Sequence, residues 1–122
     1  MELLGATPTV LIVDDHPSFR AVAQLLLDTD GFAVVGTASD GMSGVAATLR
    51  LAPDVVLLDV ELPDIDGFEV AERLRQAGSR SEIVLASSRD GIDFGSRVAE
   101  SGARGFVAKA DLTGDAIRAL LG

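Results

Sequence analysis

The chain has 122 residues, 48% of them hydrophobic, no cysteine and a formal net charge of -9. That length fits one domain around one core, and the missing cysteines exclude disulfides and thiolate-held zinc or iron–sulfur centres. The acidic balance, with no basic cluster, argues against direct binding of DNA or RNA, which requires grouped Lys and Arg to neutralise phosphates.

The opening MELLGATPTV lacks the basic stretch and long apolar core of a signal peptide, and no apolar run reaches the roughly 20 residues of a membrane span. A cytoplasmic protein without membrane contact is expected. The first predicted strand is TVLIVD, Thr9–Asp14. A helix over Pro17–Asp28 follows, with Pro17 suited to the first helical position and Phe19, Val22, Ala23 and Leu26 spaced along one face. FAVVGTA, Phe32–Ala38, is the second strand, and Asp40 is the expected N-cap of a helix carrying Met42, Val45, Ala46 and Leu49 as its apolar stripe. DVVLLD, Asp54–Asp59, is the third strand. Asp66 and Glu69 form a capping-box-like pair ahead of Val70 and Leu74, so Asp64 and Asp66 read as turn and cap residues.

EIVLAS, Glu82–Ser87, is the fourth strand. The segment DGIDFGSRVAESGA after it makes a weak helix, because Gly95 in its interior costs about 1 kcal/mol relative to Ala. That helix is expected to be short or mobile. GFVAK, Gly105–Lys109, is the fifth strand, and the last helix, from Thr113, buries Ala116, Ile117 and Leu120. Runs apolar on both faces, alternating with helices, specify a parallel sheet covered on two sides.

In such sheets ligands bind beyond the carboxyl ends of the strands, at the topological switch point. The first strand ends at Asp14 and Asp15, the third at Asp59, the fourth at Ser87 and the fifth at Lys109. If these strands are neighbours, three carboxylates, a hydroxyl and an amine share one edge. Two unit charges about 4 Å apart repel by roughly 4 kcal/mol at an effective dielectric near 20, so the acids call for a cation. Carboxylates with a backbone carbonyl and waters suit Mg²⁺, whereas a single histidine, His16, and no cysteine argue against zinc. His16 itself reads as a turn or helix-start residue. Such a set could position a phosphoryl group, with one carboxylate as nucleophile. A nucleotide-binding reading fails, because DDHPSFR after the first strand has neither phosphate-cradling glycine pattern.

VLIVDDHPSFR, VVLLDVELPDIDGFEV, IVLASS and GARGFVAKADL together resemble the receiver domain of bacterial two-component response regulators, in the wording of the NarL-type subfamily, over essentially the whole chain. The resemblance implies a flavodoxin-like (CheY-like) three-layer α/β/α fold with a five-stranded parallel sheet in the order 2-1-3-4-5. By the same resemblance, Asp59 accepts a phosphoryl group from a sensor histidine kinase. Asp15, Asp59 and the backbone carbonyl of Glu61 hold Mg²⁺ (or Mn²⁺), and Asp14 acts through a metal-bound water. Lys109 and Ser87 bind the phosphoryl oxygens, and Ser87 and Phe106 are the switch residues. The face made by the fourth helix, fifth strand and fifth helix would meet an output domain or a homodimer partner, with Gly91, Gly95 and Gly102 easing its shift. Ala110 follows Lys109 where many receivers have proline, and Glu61 and Arg89, at positions that vary and tune phosphoryl lifetime, could pair over the site entrance.

The expectation is thus a single receiver domain over residues 1–122, with no output domain in the chain, normally controlling transcription through a DNA-binding domain and turning over no small molecule. A stand-alone receiver acting by protein contact is the alternative. A Mg²⁺-dependent aspartyl-phosphate phosphatase is a third, since Glu61 sits two residues after Asp59, but no substrate-pocket element supports it. With all five site residues present, a phosphorylation-independent pseudo-receiver is disfavoured.

Overall fold

A computed structural model describes residues 7–89 and 91–122. The leader-peptide question at residues 1–6 lies outside them. Five parallel strands form one sheet, β1 (Thr9–Val13), β2 (Ala33–Ala38), β3 (Val55–Asp59), β4 (Glu82–Ser87) and β5 (Gly105–Ala108), in the order β2-β1-β3-β4-β5. The helices between and after them are α1 (Pro17–Thr29), α2 (Gly41–Leu51), α3 (Gly67–Gln76), α4 (Arg97–Glu100) and α5 (Gly114–Leu121), with 3-10 turns at Gly91–Phe94 and Lys109–Asp111. Among the described residues no helix is long and apolar enough to cross a membrane.

The strands alternate between two apolar layers, as pleating requires. Val10, Ile12, Val55, Leu57 and Val84 pack with Ala23, Leu27 and Ile117 beneath α1 and α5. Leu11, Val13, Val56, Leu58 and Leu85 pack with Ala47, Val70, Leu74 and Phe94 on the other face. Every residue of β3 is buried, including its terminal Asp59. The register that brings the acids together is set at the opposite end of the sheet. Thr9 N donates to Asp54 Oδ2 at 2.8 Å, and Asp54 N donates back to Thr9 Oγ1 at 2.9 Å. Pairing of Val10 with Val55 through Val13 with Leu58 then delivers Asp14 beside Asp59.

Three helical details differ from the periodicity reading. In α1, Val22 is exposed, and Ala23, Leu26 and Leu27 face the core. In α2, Met42 and Leu49 face outward, and the buried side is Gly41, Gly44, Ala47 and Thr48. The reason is proximity: a Cβ on Gly44 would lie 2.7 Å from Val13 Cγ1, so α2 packs through its small residues and turns its larger ones out. Asp64 is more than a turn residue. Its carboxylate accepts from Gly41 N at 2.7 Å and Met42 N at 2.8 Å, capping α2 from the β3–α3 loop, and the bond from Met42 N leads in holding its pKa down to about 2. The weak fourth helix is short as expected, one turn of four residues, with Gly95 at φ +58° separating it from the preceding 3-10 turn.

Gly67, the first residue of α3, touches the backbone beneath the site. A Cβ there would lie 2.5 Å from the Asp59 carbonyl oxygen and 2.9 Å from Val60 Cα. Gly67→Ala is expected to cost about 2–3 kcal/mol of unfolding free energy in urea titrations. Gly78→Ala, at φ +77° with no heavy atom within 4 Å, is expected to cost about 1 kcal/mol. Equal losses would mean that the backbone under Asp59 yields.

Candidate functional site

The site lies at the carboxyl edge of the three central strands and β5. Asp14 and Asp15 follow β1, Asp59 ends β3, Ser87 ends β4, and Lys109 opens the 3-10 turn after β5 rather than closing the strand. Asp14, Asp59 and Ser87 are buried, at 1%, 3% and 0% exposure. A charge at the end of an all-apolar strand needs partners, and the structure supplies them. Glu61 N donates to Asp59 Oδ1 at 3.1 Å, and Lys109 Nζ donates to Asp59 Oδ2 at 3.2 Å. The same ammonium lies 2.6 Å from Asp14 Oδ2 and 4.6 Å from the centre of the Phe19 ring. Asp14 Oδ1 accepts from His16 N at 2.8 Å, which closes the turn into α1.

One ammonium does not balance this group. Carboxylate oxygens of Asp14, Asp15 and Asp59 and a ring nitrogen of His16 all lie within 4.8 Å of one another. Among the described residues, Asp15 Oδ1 is buried and accepts no hydrogen bond. Three ionised acids against Lys109 leave two negative charges in excess. Burial, reinforced by the Asp14 charge, pushes the Asp59 pKa up to about 6, against the opposing pull of Glu61 N–H and Lys109. Burial works against the Lys109 ammonium, but its contacts with Asp14 and Asp59 outweigh that and raise its pKa. A hard divalent cation with oxygen ligands fits the vacant acceptor and the charge excess.

The sequence-selected residues Asp14, Asp15, Asp59 and Lys109 therefore converge. Ser87 stands one rung from them on the neighbouring strand, since Asp59 pairs with Ala86. Its hydroxyl donates to Glu61 Oε1 at 3.4 Å and accepts from Arg89 N at 3.0 Å. Arg89 Nη1 in turn reaches Glu61 Oε2 at 3.4 Å, so the expected pair at the entrance is formed. Phe106 lies farther off, half-buried on β5, its ring 5.8 Å from that of Phe94. Sequence reasoning assigned no partner to His16, whose Nδ1 lies 3.2 Å from both Asp14 Oδ1 and Asp15 Oδ1. The adjacent DDH triplet was the available signal.

Residues 10–120 match the family described as the response regulator receiver domain. The chain belongs to that family. It is 36% identical over 100 residues to the transcription regulator BvgA of Bordetella pertussis, covering 82% of this chain and 48% of that protein. It is 42% identical over 109 residues to a protein-glutamate methylesterase/protein-glutamine glutaminase of Anaeromyxobacter dehalogenans, covering 88% of this chain and 31% of that one. The signal receiver domain of NarL from Mycobacterium tuberculosis superposes with a TM-score of 0.84 at 29% identity, over 96% of this chain and 98% of that one. The receiver chain spans about half the length, or less, of these curated relatives.

The raised Asp59 pKa has a sign that can be tested. Between about pH 4 and 6 the folded receiver binds a proton that the unfolded chain has released, so stability falls as pH rises through that window and stays reduced above it. In metal-free buffer, Asp59→Asn is expected to gain about 1–2 kcal/mol at pH 7.5 and little at pH 4. Thermal denaturation at the two pH values measures the difference.

Proposed function

We propose that Asp59 is the phosphoacceptor of a two-component signalling receiver. The observation that carries this reading is the placement of one buried carboxylate at the end of β3, touched by Lys109 and flanked by Asp14, Asp15 and the Ser87 hydroxyl. An Asp59 oxygen attacks the phosphorus of a phosphohistidine on a sensor kinase. The new O–P bond forms as the P–N bond breaks, and the imidazole leaves. Mg²⁺ (or Mn²⁺), held by Asp15, Asp59 and the Glu61 carbonyl with Asp14 acting through a water, would neutralise phosphoryl charge in the transfer. Lys109 supplies the second cation. It already spans Asp14 and Asp59, so it need only turn toward the incoming oxygens.

Ser87 then trades Glu61 for a phosphoryl oxygen, and the segment after β4 follows it inward. That movement reaches Phe94 and Phe106 and alters the α4-β5-α5 face offered to an output domain or a second copy. The BvgA likeness favours an output outside this receiver domain that regulates transcription in the cytoplasm, and a DNA-binding domain is the output proposed. The methylesterase likeness supports a second reading, in which the same switch governs an enzymatic output domain. In either case residues 1–122 act as one receiver unit that turns over no small molecule itself.

Two measurements check this. Incubation with acetyl phosphate and Mg²⁺ should add one phosphoryl mass, lost in Asp59→Asn and prevented by a chelator. Absence of an adduct on the unaltered protein would leave a phosphorylation-independent module. Ser87→Ala should still be modified, but the amide shifts over residues 93–110 that accompany modification of the parent should shrink severalfold. Full-sized shifts in Ser87→Ala would remove Ser87 from the switch.

A further inference from the structure

A second polar cleft lies beside the phosphorylation edge, between α1, the end of β2 and α2. It is an open cleft of about 390 Å³, lined by Arg20 and Arg50, by the hydroxyl residues Thr37, Ser39 and Ser43, and by a floor of small alanines. That volume falls in the range of small-molecule sites. In a chain of 19 acids and ten bases, no acidic residue among the described ones lines it. The bases elsewhere are mostly committed: Arg73, Arg75, Arg89, Arg97, Arg104, Lys109 and Arg118 each pair with a carboxylate. Among the described residues Arg20, Arg50 and Arg80 make no such pair, and two of these three meet in one cleft.

Their states differ usefully. Arg20 is half-buried and anchored, its Nη1 donating to the Asp14 carbonyl oxygen at 2.6 Å, so its fork is oriented before any ligand arrives. Arg50, in the last turn of α2, has no hydrogen bond among the described residues and is free to close over a bound group. Asp40, the acid nearest in sequence, is committed to capping α2 through Ser43 N and Oγ. The floor is formed by Ala38 and Ala47, both buried, with Ala46.

We propose that this cleft binds a phosphate monoester of a small organic molecule, the phosphate held between the Arg20 and Arg50 guanidiniums and the organic body resting on the alanine floor. Guanidinium forks match phosphate oxygens in pairs, and a cleft free of carboxylates inside a strongly acidic protein spares the ligand the surrounding repulsion. Because Arg20 also holds the Asp14 carbonyl, occupancy would be sensed at the first acid of the phosphorylation site.

The test is a ¹⁵N–¹H titration of the metal-free, chelator-treated protein at fixed ionic strength with adenosine monophosphate and, separately, inorganic phosphate. Saturable shifts are expected at Arg20 and across residues 37–50, with adenosine monophosphate binding at least tenfold more tightly than phosphate. Arg50→Gln, an exposed substitution that leaves the fold intact, should weaken binding at least tenfold, and Arg80→Gln should not. Shifts that fail to saturate, that are unchanged in Arg50→Gln, or that fall on residues around Asp59 and Lys109 instead would overturn the proposal. Equal affinity for the two probes would overturn the part assigned to the alanine floor.

Discussion

A single ammonium placed between two buried carboxylates is the constraint around which this receiver is arranged. Lys109 contacts Asp14 Oδ2 at 2.6 Å and Asp59 Oδ2 at 3.2 Å, and its side chain is only 12% exposed. Burying charges is costly unless they are paired, and pairing demands that β1, β3 and β5 end at the same height. The sheet meets that demand from far away. The Thr9–Asp54 clasp fixes β1 against β3, and the close approach of Gly67 to Asp59 lets α3 begin directly under the site. The cluster nonetheless stays short of neutral. The geometry is thus stable as a frame and unsatisfied as a charge distribution, which is what a site built to receive a cation requires.

The architecture was legible because its signal is redundant. Five apolar runs with short links leave few parallel arrangements, and Asp14, Asp15, Asp59, Ser87 and Lys109 fall at strand ends by simple counting. Periodicity misled where contact distance, not hydrophobicity, selects the buried side. In α2 Gly44 lies against Val13 and Gly41 against Ile65 and Val70, and Met42 and Leu49, the more hydrophobic residues, are turned out. Asp64 was half-read: its turn position is visible in sequence, but its bonds to Gly41 and Met42, more than 20 residues away, depend on tertiary placement. The cleft between Arg20 and Arg50 was invisible for the same reason, since it joins residues whose sequence spacing carries no pattern, whereas the His16 contacts lie within the adjacent DDH triplet.

The segment after β4 is held differently from the rest. Phe94 stands between Phe68 and Phe106, with ring centres 5.8 Å apart on each side. Arg89 lies 5.1 Å from the Phe94 ring centre and Arg97 lies 4.2 Å from that of Phe68, while Arg97 also pairs with the α3 cap Asp66 at 3.3 Å. The one-turn α4 has no fully buried residue of its own. It leans on the core only through the half-buried Val98, and Arg97 fastens it by one exposed ion pair to Asp66 and one cation–π contact to Phe68.

Those fastenings have a size that matters. Exposed ion pairs contribute about 0–1 kcal/mol each and exposed cation–π contacts about 0.5–1 kcal/mol. Their sum here is a few kcal/mol, which is the gap typical of a two-state element with a minor population. Arg89 links the two ends of the device: its side chain touches both Glu61 and Phe94, and its backbone N–H holds the Ser87 hydroxyl. On the proposed reading, a group that took Ser87 from Glu61 would act on the hydroxyl that the Arg89 N–H holds, and the Arg89 side chain is a clamp on the aromatic row. Rigidity under Asp59 and weakness after β4 are then two parts of one design. On the proposed reading, the first would fix where the charge lands, and the second would let a change of a few kcal/mol at that point be felt at Phe106.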